Sequence, residues 1–358
     1  MRNASVGFFR QLSILQMGRV VCLLGLAWMG ANSNAQPCCD HKARKHGSTQ
    51  RVRKLFVIAG QSNAVGLASV RDIPGGANDY VQENTVFPNV KIYGIYGAAP
   101  GVKGHDDAVL SKKVNWSRFA TWHTARPGFG YKNVANAPQY FPSGSRAEDM
   151  FGPELSLARS LNERPPYEFY IVKLAVSNTT LNYTPRADNW APGGHLYKEL
   201  MEMVRHACRT RMGRKKIRVA GLFFMQGESD ALNKVWARNY ERNLSKFIQA
   251  FRRDVVGMGC AESRKTPVVL GEIQDNPVWT YRKTVRRAQR QVVRALPYVK
   301  LVSTDRLAGQ MTAGGTHFNE YGQTYLGESV YEAFFPMHRP FKRQDERQLQ
   351  AMQVDKDK

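Results

Sequence analysis

The sequence predicts an α/β fold, a three-layer α/β/α sandwich around a central parallel sheet. Three observations carry this. Short apolar runs recur at Leu55–Ala59, Val90–Ile95, Glu168–Val176, Ile217–Met225, Val268–Ile273 and Val299–Val302, the pattern of strands buried on both faces. Stretches with apolar residues at helical spacing lie between most of them. Strand and helix patterns alternate along the chain, which calls for parallel strands joined by crossover helices. No internal repeat interrupts the order.

Taken in order, residues 1–35 read as a secretory signal peptide. Arg2, Arg10 and Arg19 precede or flank an apolar run from Val20 to Met29, and small residues follow at Ser33 and Ala35. The run is too short to span a bilayer, and no later stretch is apolar for long enough, so no stable membrane span is expected after cleavage. Residues 36–53 are polar, basic and aperiodic, a flexible leader. The domain then runs from 54 to 338. Leu55–Ala59 is its first strand and Val90–Ile95 its second. Residues 96–150 show no sustained period and are rich in Gly, Pro, Asn and aromatics, so they read as a long loop insert. Trp116, Trp122, His123, Phe129 and Tyr131 in it suit either a sugar-binding lid or a satellite core.

Phe151-Gly-Pro-Glu154 opens a helix: Pro153 suits its first turn and Glu154 the positive end of its dipole. Further helices are expected over His195–Met212, Trp236–Val256, Tyr281–Leu296 and Asn319–Phe334. Tyr240, Leu244, Phe247 and Phe251 mark the apolar stripe of the second. Residues 339–358 are charged and aperiodic, a disordered tail.

The 358 residues carry 52 Lys and Arg against 29 Asp and Glu, a formal charge of +23. Such a balance suits polyanions, an anionic polysaccharide among them. No nucleic-acid-binding motif accompanies it, so nucleic acid is not an expected partner. Of the five cysteines, Cys22 falls in the signal, and Cys38, Cys39, Cys208 and Cys260 remain. Cys208 and Cys260 fit either a disulfide or two buried thiols. Cys38 and Cys39 have no histidine at zinc-site spacing, and neither metal nor cofactor is expected.

Two polar turns at strand ends and a Gly-rich loop ahead of the last helix carry the chemistry. Leu55–Ala59 breaks into Gly60-Gln61-Ser62-Asn63; Gly221–Met225 breaks into Gln226-Gly227-Glu228-Ser229-Asp230; and Gly314-Gly-Thr-His317-Phe-Asn319 sits before the last helix. Ligands bind outside the carboxyl ends of strands in open α/β sheets, so the three turns can meet at one rim. Together they resemble the sialate O-acetylesterase-like carbohydrate esterases of the SGNH/GDSL hydrolases, over about Lys54 to Phe335. Gly-Gln-Ser-Asn, Gln-Gly-Glu-x-Asp and x-His-Phe occur in that family's order. The resemblance implies a flavodoxin-like SGNH fold and a serine esterase, and the N-terminal signal pattern makes it exported, either secreted or periplasmic. Such an enzyme removes O-acetyl groups from an acetylated carbohydrate without a cofactor.

An ester hydrolase needs a nucleophile, a base and oxyanion donors. Ser62 supplies the hydroxyl and His317 the base. The oxyanion donors are the Ser62 N–H, an N–H near Ser177 or Asn178, and the side chain of Gln226, the last two by resemblance. Gln61, Asn63 and Gly227 complete the expected substrate-side set. Two departures stand out. The family's glycines after the third buried strand are Ser177 and Asn178 here, so the hole needs the same backbone turn, which Asn tolerates. The family's Asp, three residues before the His, is Gly314. Three arrangements fit this loss. Another carboxylate substitutes, Glu228 first, with Asp305 or Asp230 behind it; or Ser62 and His317 work as a dyad; or the protein binds an anionic glycan without turnover. Glu228 also fits a second role, bonding the nucleophile turn.

Overall fold

The structure is a computed structural model that describes residues 53–73, 86–97, 115–136, 141, 143–164, 167–185, 188–210, 216–312 and 314–337. The expected signal, the leader up to residue 52 and the tail lie outside the described residues, as do Cys38 and Cys39.

The elements are β1 (Arg53–Gly60), α1 (Ser62–Val65), β2 (Ala68–Ser69), β3 (Phe87–Gly94), β4 (Thr121–Ala125), β5 (Met150–Phe151), α2 (Pro153–Asn162), β6 (Phe169–Ala175), α3 (His195–Arg209), β7 (Ile217–Met225), α4 (Lys234–Gly257), β8 (Val268–Gly271), α5 (Arg282–Ala295), β9 (Val299–Val302) and α6 (Glu320–Phe334). Seven strands form one sheet in the order β4-β3-β6-β1-β7-β8-β9, while β2 and β5 make a separate antiparallel pair. All neighbours in the large sheet run parallel except β3 and β4. β1 therefore lies near the middle, flanked by β6 and β7, and all three end at the same rim.

Alternation along β1 divides the core. Leu55, Val57 and Ala59 join Leu200 and Val204 of α3, Leu244 and Phe247 of α4, and Val285 and Val292 of α5. Phe56 and Ile58 face the other way, onto Leu155 and Leu161 of α2 and Leu326, Val330 and Phe334 of α6. Three helices on one face and two long ones on the other make the expected sandwich. Each fully buried Leu or Phe contributes ~2 kcal/mol, so the central strands are the most strongly held part of the fold. Asn233 starts α4 by accepting the N–H groups of Val235 and Trp236 at its side chain, a cap worth about 1 kcal/mol.

The described residues within 96–150 hold more order than the composition of that stretch suggests. They include β4, the antiparallel edge strand, whose residues are mostly half-exposed. Its half-exposed, mixed side chains (Thr121, Trp122, His123, Thr124) make no continuous apolar run, which is why the sequence pattern misses it. Trp116, Phe129 and Tyr131 are buried, Trp122 packs on Tyr93 and Tyr170, and His123 stacks on Tyr96. These side chains pack on one another and against the sheet. Cys208, at the end of α3, and Cys260, after α4, are free thiols, the second buried. Among the described residues no helix is long and apolar enough to cross a membrane.

Candidate active site

The nucleophile turn is built by strand crowding. At Gly60 (φ 143°) any Cβ would overlap the Met225 carbonyl at the end of β7. Gln61 N–H donates to that carbonyl at 2.9 Å, and Val176 N–H donates to the Gly60 carbonyl at 2.9 Å. The ends of β6, β1 and β7 are thereby tied together. The chain then turns into α1, with Ser62 at its first position and only 7% exposed. First-turn N–H groups have no partner within a helix, so the Ser62 N–H is placed to donate outward.

Asn63 joins the three sequence turns. Its Nδ2 donates to Glu228 Oε1 at 3.1 Å, and its Oδ1 accepts the Phe318 N–H at 3.1 Å. Its carbonyl accepts from Gln323 Nε2 of α6 at 3.3 Å. Ser62 and His317 are thus the residues immediately before two residues bonded to each other, although 255 positions separate them in the chain. His317 lies in a loop closed by Asn319 N–H donating to the Gln310 carbonyl and by Thr312 N–H donating to the His317 carbonyl. The Asn319 side chain caps α6 through Gly322 N–H. His317 Nδ1 lies 3.4 Å from Thr316 Oγ1. Gly314 is exposed, and a Cβ there would meet nothing within 4 Å.

The carboxylates considered as replacements for the missing acid have other bonds. Glu228 is buried on Asn63, and its Oε2 has no hydrogen-bond partner. Burial pushes its carboxyl up to about 7, aided by the Asp230 charge and opposed by its hydrogen bonds. Its one bonded oxygen, Oε1, meets the nucleophile turn at Asn63. Asp230 accepts the N–H groups of Leu181 (2.8 Å) and Asn182 (3.1 Å), and burial raises its carboxyl to about 6. Asp305 accepts from Arg286 and Ser303 at the far end of β9. Although burial works the other way, these bonds hold its carboxyl below the ordinary range.

Gln226, expected as an oxyanion donor, is spent on the frame. Its Nε2 faces Asp230 Oδ2 at 2.6 Å, the Thr179 carbonyl at 3.0 Å and Gln61 Oε1 at 3.3 Å. A primary amide has two hydrogens, so those acceptors use both. Gln61 Oε1 also lies within 3.5 Å of the N–H groups of Gly227 and Ser229, so Gln61 ties the first turn to the second. Ser177 is buried, whereas Asn178 is exposed and left-handed (φ 56°). Asp230 below and Gln226 at Thr179 hold this turn, and Trp190 Nε1 donates to Thr179 Oγ1 at 2.9 Å.

Two supporting residues escape the sequence reading. Tyr240 OH donates to the Gln226 carbonyl at 2.5 Å, and Gln289 Nε2 reaches the same carbonyl at 3.3 Å. Tyr240 reads from sequence as part of the α4 apolar stripe, and nothing there marks its hydroxyl. Gln289 was legible in principle: an amide on the buried side of α5 needs partners. Glu154, read as a dipole partner, also pairs with Lys173 inside β6. Lys132 nearby donates to the Gly128 carbonyl at 2.8 Å, and burial, with the Lys173 charge, lowers its amine to about 7. Among the described residues no group of three or more His, Cys, Asp or Glu is arranged to hold a metal ion.

Comparison with solved structures finds proteins of the same fold. A protein from Arabidopsis thaliana matches at 19% identity over 80% of this chain and 98% of its own, with a TM-score of 0.54. NanS matches at 16% identity over 81% of this chain and 98% of its own, with a TM-score of 0.55. At such identities the likeness establishes the fold. A carbohydrate acetylesterase from Xanthomonas citri matches at 14% identity over 78% of this chain and 55% of its own, with a TM-score of 0.48. Comparison with curated proteins gives no match. The family model described as carbohydrate esterase, sialic acid-specific acetylesterase, matches residues 52–336. The chain belongs to that carbohydrate esterase family.

Proposed function

We propose that the protein is an exported serine esterase that removes O-acetyl groups from a carbohydrate. The observation that carries this is the Asn63 bridge, which sets the Ser62 turn against the His317 loop at the carboxyl rim of the sheet. In the reaction His317 takes the Ser62 proton as Oγ attacks the acetyl carbonyl, then returns it to the departing sugar oxygen. Water cleaves the acetyl-serine by the same route in reverse. The Ser62 N–H and the Asn178 turn supply the oxyanion donors, while Gln226, Gln61 and Asp230 hold that turn. Glu228 acts through Asn63 by positioning the nucleophile turn. Export is supported by the signal-like pattern of residues 1–35.

The test is acetate release from acetylated sugars and hydrolysis of p-nitrophenyl acetate by the native protein and by Ser62→Ala and His317→Ala. Both substitutions are expected to lower kcat by at least about a thousandfold, as loss of a triad member does elsewhere. Equal rates for native and Ser62→Ala protein would reject the assignment. Binding of an acetylated glycan with no turnover by the native protein would support the non-catalytic reading instead.

A further inference from the structure

The charge of this protein is segregated between the two helical layers. α4 and α5 together carry twelve Lys and Arg against two acidic residues. α2 and α6, on the opposite face of the sheet, carry one Arg against four Glu. A uniformly basic protein would not sort its charges this way.

The arrangement within the basic layer is regular. On α4, Lys234, Arg238, Arg242 and Lys246 follow one another at four-residue spacing, and all are exposed. On α5, which packs beside α4, Lys283, Arg287, Arg290 and Arg294 recur at intervals of four, three and four residues. Those intervals place them on one side of the helix, opposite the buried Val285, Ala288 and Val292. Like charges four residues apart cost a helix roughly 0.2–0.5 kcal/mol per pair. Among the described residues, Arg290 pairs with Glu272, while Lys283, Arg287, Arg294, Lys234, Arg238, Arg242 and Lys246 have no acidic partner. The α4 row is ~18 Å long and the α5 row ~16 Å at 1.5 Å per residue. Both rows start at the catalytic rim. Asn233, the cap of α4, follows Asp230 by three residues, and Tyr281 N–H, just before α5, donates to the Ala231 carbonyl at 2.7 Å.

We propose that the outer face of α4 and α5 is a docking track for an anionic polysaccharide, the polymer that carries the acetyl esters to the site. This rests on the esterase reading above. Two parallel rows of fixed cations at ~6 Å intervals along the helices suit a repeating anionic chain, such as a polyuronate. Their origin at the rim lets a polymer lie on the track while one residue enters the site. The contacts are charge to charge, so they weaken with salt.

The experiment uses the full chain and a variant neutralised at Arg238, Arg242, Lys283, Arg287 and Arg294, each to Gln. All five side chains are exposed and outside the catalytic frame, so the melting temperature and p-nitrophenyl acetate hydrolysis should match the native protein. Binding to polygalacturonate at low salt should weaken by about tenfold or more, with a shallower salt dependence. KM for an acetylated polyuronate should rise while kcat holds, and a neutral acetylated xylan should be unaffected. Unchanged polygalacturonate affinity in a folded variant overturns the proposal. So does stronger native binding to duplex DNA or to phosphatidylglycerol vesicles than to polygalacturonate at matched charge. Should the native protein hydrolyse no ester yet bind polygalacturonate through these residues, the track stands and the esterase reading fails. Should it hydrolyse p-nitrophenyl acetate while the variant binds the polymer normally, the reverse holds.

Discussion

Glu228→Gln tests the frame of the site through its dependence on pH. The Glu228 carboxyl is raised from an ordinary 4.5 to about 7, chiefly because it is buried. The folded state therefore holds a proton that the unfolded chain releases above 4.5. Between those two values the folded protein binds more protons, so its stability falls as pH rises, and the loss is complete above about 7. A displacement of this size corresponds to about 3 kcal/mol. Glutamine keeps an oxygen for Asn63 Nδ2 and carries no charge at any pH. Glu228→Gln should match the native protein near pH 4.5 and exceed it by about 2–3 kcal/mol at pH 8. Urea unfolding at half-unit steps from pH 4.5 to 8 reads the difference directly. A gap that stays constant with pH, or that opens toward acid, would refute the burial argument.

Three further outcomes follow from the same geometry. Gly314→Asp puts a carboxylate where the family has one, at an exposed position with room for a side chain. kcat for p-nitrophenyl acetate should rise by about tenfold or more, short of the ~10⁴ that a triad Asp supplies in serine proteases; an unchanged kcat would show that His317 needs no acid there. Asn178→Val forces a β-branched residue into the left-handed turn and should cost about 1–3 kcal/mol in thermal unfolding, with kcat falling as the oxyanion donors move. Asn178→Gly should be close to neutral in both. Gly60→Ala pushes a methyl into the Met225 carbonyl, so it should lower soluble yield and stability by more than about 3 kcal/mol, measured by the same melts.

The layered fold and the membership of the three turns in one site could be read from residues alone. A strand buried on both faces is apolar nearly throughout, so β1, β6, β7 and β8 announce themselves at Leu55, Ile171, Leu222 and Val268. Ser62 and Gln226 stand out because each follows such a run, and His317 because it sits in a Gly-rich loop just ahead of the last helix. The edge strand Thr121–Ala125 could not be found this way, since half-exposure leaves it without a pattern. Nor could the destination of each polar group. Gln226 carries the donors an oxyanion site wants, yet Asp230, Thr179 and Gln61 consume them, and those partners come from three separate segments. Glu228 meets Asn63 across 165 positions, and Arg286 takes Asp305 across the β8–β9 end of the sheet. Burial and short local patterns are properties of a segment and can be read one segment at a time. Which donor meets which acceptor depends on distances between segments, and those exist only once the sheet has assembled.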